Sequence, residues 1–223
     1  MTPRSRSTAT TRLPLTRDRV LQTALQLADR EGIESLSMRR LGRELGVEAM
    51  SLYNHVADKE DLLDGLADIV VGEIEVPSIG SDPRAALRRW AFSVRDMLKR
   101  HPWAGGLIES RANPSPARSR YPEAVIGSLR QAGFSIEMAI HAFFTLDSYV
   151  DGFAVQERSL PSGTPDELAA MAEGARRALP ATEYPYLNEA IVGRVLGGFD
   201  YTEEFEFGLD LILDGLERHR AGT

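Results

Sequence analysis

Ser51, Tyr53, Asn54 and His55 place four hydrogen-bonding side chains within five residues, and Arg39, Arg40 and Lys59 flank them with positive charge. No nucleophile elbow, phosphate loop or metal-spaced histidine cluster accompanies them, so covalent or acid–base catalysis finds no support. Such a set can hold a polyanion. Arginine forks onto guanine O6 and N7, while hydroxyl, amide, imidazole and ammonium groups reach phosphate oxygens. These side chains have to be carried by something slim enough to enter a groove.

Leu36 to Lys59 supplies that carrier, reading as two short helices around Gly46. Ser37 caps the first, with Leu41 and Leu45 on its buried side. Glu48 to His55 forms the second, which buries Val47 and Leu52 and leaves Ala49, Met50, Ser51, Tyr53, Asn54 and His55 toward the groove. A helix, a glycine turn and a polar helix is the arrangement that fills a DNA major groove. Arg39 is the candidate for direct base readout. Arg40 points about 100° away and serves as a phosphate clamp or an exposed charge. The apolar tips of Ala49 and Met50 suit a thymine methyl group. The Tyr53 ring can pack in the small core, place its hydroxyl on phosphate, or do both, and an exposed cap is the alternative for His55.

The strings LTRDRVLQTALQLADREGIESLSMRRL and LGVEAMSLYNHVADKEDLLDGLA together resemble the N-terminal domain of tetracycline-repressor-family (TetR family) transcriptional regulators. The glycine turn, the Ser-Leu-Tyr-x-His-Val core and Lys59 carry the likeness. It implies that Ser51, Tyr53 and His55 bear on phosphates or base edges and that Lys59 meets backbone phosphate. With Ser37, Arg39, Arg40, Ala49, Met50 and Asn54 these complete the expected DNA-binding set. Ala49 and Met50 depart from the tetracycline repressors themselves, so a different operator is expected.

QAGFSIEMAIHAFFTLDSYVDGF and FEFGLDLILDGLE are similar to that family's C-terminal domain, in which two helices per subunit form a four-helix bundle. The resemblance implies a homodimer joined through Ala139, Phe143, Leu146, Val150, Phe153, Phe205, Leu209, Ile212 and Leu216, with Gly208 and Gly215 admitting a neighbouring helix. The same residues can instead fill an intramolecular core. Aromatic walls with sparse polar groups make an effector pocket, here Trp90, His101, Trp103, Ile108, Phe143, Phe144, Asp147, Tyr149 and Asp151. Ile108 and Gln156 stand where the resemblance requires a histidine and a glutamate for drug-bound magnesium, so tetracycline and a metal are not expected. Glu109 and Glu157 lie one residue away.

The remaining elements read as helices. Thr16, Asp58, Asp82-Pro83, Ser135, a Thr164-Pro-Asp-Glu167 capping box and Thr202 open them, and Gly32 closes the first. No alternating strand pattern occurs, so the fold is all-α: a three-helix helix-turn-helix domain and a larger helical ligand-binding and dimerisation domain. The expected boundaries are a disordered basic tail over residues 1–15, a DNA-binding domain over 16–75 and an effector and dimer domain over 82–223. The net charge of −7 divides into +3 over residues 1–57 (nine Arg, six acids) and −10 beyond, a basic head on an acidic body. Cysteine is absent, which removes disulfides. No apolar run long enough for a membrane span and no apolar leader is present, so a cytoplasmic protein is expected. Its partners are an operator duplex, a small hydrophobic effector and a second copy, with no cofactor. The function read here is a ligand-released repressor on a palindromic operator; an activator, or an effector-independent DNA binder, is the alternative.

Overall fold

Capping residues set the helix boundaries. Thr16 Oγ1 accepts the Arg19 N–H and opens α1 (Arg17–Glu31), which Gly32 closes at φ 85°. A short 3-10 turn, Ile33–Ser35, leads to α2 (Met38–Leu45), opened by the Ser37 hydroxyl on the Arg40 N–H. Gly46 ends α2 in the left-handed region at φ 67°, a conformation glycine adopts without the strain a Cβ would bring. α3 (Ala49–Leu52) follows, and Asp58 caps α4 (Lys59–Gly72) through the Asp61 N–H.

Beyond these lie α5 (Pro83–Arg100), α6 (Ala104–Glu109), α7 (Pro116–Gln131), α8 (Ile136–Ser159), α9 (Pro165–Ala178), α10 (Pro185–Gly197) and α11 (Tyr201–Ala221). This computed structural model describes residues 14–78, 80, 82–111, 114–159, 164–197 and 200–221. The basic arm with Arg4, Arg6 and Arg12 lies outside them. Among the described residues there is no strand, and no helix is long and apolar enough to cross a membrane.

The chain divides into two units: one through Glu73 with Arg100–Arg118, the other Ile74–Lys99 with Ser119 onward. In the first, Val20, Ala24 and Leu27 of α1 meet Leu36, Leu41, Leu52, Val56, Leu62, Leu66 and Val70 in a core with almost no accessible surface. At about 25 cal/mol per Å2 of apolar area removed from water, these aliphatic side chains supply most of its cohesion. The two units part between Glu73 and Ile74, and Arg100–Arg118 groups with the head. Ionic ties along α4 account for this: Arg111 to Glu60, Arg118 to Asp64 and Asp68, and Arg100 to Glu73.

The second unit is built around α5, α8 and α11. Ala139, Leu146, Val150, Phe205 and Leu209 are fully buried within the one chain. They are therefore core residues, and their assignment to a dimer interface is corrected: a side chain with no accessible surface in the protomer has none to offer a partner. Phe143 is buried too, Phe153 packs edge-on against Phe205, and Ile212 and Leu216 are half-buried. Gly208 does admit a close neighbour, but it is the Tyr149 ring from α8 of the same chain. Arg84 and Arg88 of α5 hold the acidic face of α11 through Asp210, Asp214 and Glu206.

Two helices escaped the sequence reading, α6 and α10. The cap of α11 also moves: Asp200, not Thr202, supplies the carboxylate that accepts the Thr202 N–H at 2.6 Å.

Candidate nucleic-acid interface and effector site

The two helices of the DNA-reading motif touch through Gly42. A Cβ there would stand 2.9 Å from the Val47 carbonyl oxygen and 3.2 Å from the Ala49 Cα, so only glycine lets α3 lie this close to α2. Leu52 anchors the underside of α3 in the core, while Val47 is only half-buried. The outer side is free. Met50 is 74% exposed and Tyr53 43%, Asn54 is exposed, and Ala49, Ser51 and His55 are half-buried. Tyr53 is thus not a fully buried core residue.

Arg39 projects from α2 as an exposed side chain, and Lys59 is exposed at the start of α4. Arg40 behaves differently. Its guanidinium reaches back to Glu31 at the end of α1 (2.7 Å), and that bond holds the Glu31 carboxyl below its ordinary value. It ties α1 to α2 in this structure. Ser37 accepts the Arg40 N–H and keeps its own proton free to donate.

The residues expected to line an effector pocket fall in both units. His101 is buried in the head, where Nδ1 faces Asp29 at 2.7 Å and Nε2 faces Glu73 at 3.2 Å. Trp103 donates its indole N–H to the same Asp29 at 2.8 Å. Burial works to raise Glu73, yet the Arg100 bond and nearby His101 hold it below its ordinary value. His101 therefore closes a structural tie between α1 and α4, and both its ring nitrogens are engaged. Ile108 is half-buried on α6.

In the second unit Trp90 is fully buried, and among the described residues its Nε1 has no acceptor. Phe143 lies 6.4 Å from it, ring centroid to centroid, with Tyr121 and Phe144 beyond at 6.2 and 5.6 Å from Phe143. Asp147 and Asp151 are half-buried on α8. Tyr149 is corrected as a pocket residue: it stacks on Phe205 and donates to the Phe205 carbonyl at 2.8 Å, and burial pushes its phenol up. Glu157 is gripped by Arg95 and Lys99, so it is not a spare carboxylate for an ion. Gln156 is exposed.

With this geometry in place, comparison with known proteins decides the family. A profile described as "Bacterial regulatory proteins, tetR family" matches residues 20–66, and one for the "Tetracyclin repressor-like, C-terminal domain" matches 76–220. The chain belongs to the TetR family. It is 36% identical to the HTH-type transcriptional repressor DrrR1 of Streptomyces coeruleorubidus over 91% of this chain and 77% of that protein. The class D tetracycline repressor of Escherichia coli shares 28% over 91% and 89%. Among solved structures, ActR of Streptomyces coelicolor in complex with actinorhodin superposes with a TM-score of 0.75 at 33% identity, covering 93% of this chain and 99% of that one. Members of this family are DNA-binding regulators, not enzymes.

Proposed function

We propose that this TetR-family chain is a transcriptional repressor acting in the cytoplasm, seated on a two-fold operator as a dimer and released by a small, largely apolar effector. The single observation that carries the DNA reading is the α3 surface: Met50, Ser51, Tyr53 and Asn54 turned outward on a helix whose seat, Gly42 and Leu52, is fixed. In this reading Arg39 and Met50 meet base edges, while Ser37, Ser51, Tyr53, His55 and Lys59 hold phosphates. Family regulators bind operators and small molecules and act as dimers. DrrR1 is a repressor and ActR binds actinorhodin, which supports repression and release.

The effector reading rests on Trp90. A buried indole N–H without an acceptor is costly, and an effector oxygen among the aromatic rings of Trp90, Phe143 and Tyr121 would satisfy it. Domain limits of 16–75 for DNA and 82–223 for effector and dimer functions remain our division, with the ties of Arg100–Arg118 to α4 belonging to the head.

The test is selection of duplexes from a random-sequence pool by the purified full-length protein. Enrichment of a short inverted repeat with half-sites about one helical turn apart supports the reading, and diffuse protection by footprinting rejects it in favour of a nonspecific scaffold. Actinorhodin and minocycline, ligands of two relatives, are then added in separate arms to the bound duplex.

A further inference from the structure

Arg17, the first residue of α1, sits where three segments of the head meet. Its guanidinium forks onto Asp61, with Nη2 to Oδ1 at 2.7 Å and Nη1 to Oδ2 at 2.8 Å, and Nη1 also donates to the His55 carbonyl at 3.1 Å. Asp61 Oδ2 accepts the Ala57 N–H at 2.8 Å as well. One ion pair thus gathers the start of α1, the first turn of α4 and the stretch following α3. Beneath the pair, α1 and α4 are in close contact: a Cβ on Gly65 would meet Leu21 Cδ2 at 2.7 Å and lie 3.5 Å from Arg17 Nη2.

We infer that Arg17 and Asp61 are positioning residues for DNA reading, fixing the angle at which the α3 segment presents Tyr53, Asn54 and His55. The inference rests on the DNA-binding role of this head. The pair itself is partly exposed, with side chains 44% and 31% accessible. Exposed ion pairs add little to global stability. A planar two-point fork nevertheless restricts direction more than a point charge does, so its effect falls on orientation.

The sign of one substitution separates orientation from charge. Asp61 is an anion two residues from Lys59, and removing it brings the head's charge closer to what phosphate favours. Electrostatics alone therefore makes Asp61→Asn bind DNA more tightly, whereas positioning makes it bind more weakly.

The experiment measures affinity of the full-length protein for a duplex it has selected from a random pool, and for a scrambled duplex of equal length, over a salt series. Asp61→Asn and Arg17→Gln are each expected to weaken the selected duplex about tenfold while the scrambled one changes little. The double variant is expected to be no weaker than either single. Arg17→Lys, which keeps the charge and not the fork, recovers only part of the loss and serves as the mild variant if a single substitution impairs folding. Tighter binding by Asp61→Asn overturns the inference. So does an equal loss on both duplexes in Arg17→Gln with a salt slope shallower by about one, which marks a direct phosphate contact. Failure of the wild-type chain to enrich any duplex counts instead against the DNA-reading function.

Discussion

Arg95 lies almost wholly inside the second unit, its side chain 3% accessible, against the Phe205 and Phe153 rings. It forks onto Glu157 at 2.7 and 2.9 Å. Removing one partner of a buried pair strands the other charge, so Glu157→Ala is expected to lower stability by about 3–5 kcal/mol, read from a urea midpoint. Arg95→Met with Glu157→Met should recover most of that loss. Burial works to raise the Glu157 carboxyl, but bonds from Arg95 and Lys99 hold it below the ordinary carboxylate range. A depressed acid contributes stability above its unfolded value and loses it as pH falls through the folded one. The wild type should therefore weaken between about pH 5 and pH 3, and Glu157→Gln should flatten that fall. Sequence placed Glu157 beside a possible ion site because its partner is 62 residues distant, and no local pattern shows so remote a pairing. The exposed α3 tips were readable; the ties of Arg40, Tyr149 and His101 were not, since each binds a group on another helix.

Helix ends were the most legible elements. Thr16, Ser37, Asp58, Asp82, Ser135 and Thr164 all accept the N–H their spacing predicted, because a cap is a local bond within four residues. α6 is six residues of Ala-Gly-Gly-Leu-Ile-Glu, too short for periodicity to register. The stripe on α8 and α11 was read as covered by a second copy or by the chain's own core, and Ala139, Leu146, Val150, Phe205 and Leu209 take the latter cover; a 3.6-residue period marks an apolar face and is silent on what covers it. Packing makes the α2–α3 contact testable. Gly42→Ala must push against backbone, not a yielding side chain, and should destabilise the head by about 1–3 kcal/mol and abolish selection of the operator duplex, measured by thermal melting and by binding.

At the scale of the whole molecule, the faces left uncovered matter most. Ile140 and Phe144 on α8 are exposed, as are Phe207 and Leu211 on α11, with Phe144 at 61% and Phe207 at 66%. An open apolar face of this kind fits a second copy, and it lies beside the buried stripe the sequence pointed to. Leu211→Asp is expected to convert dimer to monomer in sedimentation at micromolar concentration, and to weaken operator binding more than tenfold because a lone head engages only one half-site. Circular dichroism should remain helical, since Leu211 supplies little to the protomer's interior.

The four residues of α3 carry a further implication. Its inward side is a single leucine and its outward side contributes almost nothing to the protein's cohesion, so the genomic address is stored apart from the architecture that displays it. Rewriting Met50, 74% exposed, should redirect the regulator to a new promoter with its melting point intact. A synthetic peptide of the same stretch, lacking the scaffold that holds it, should be shapeless and blind to sequence.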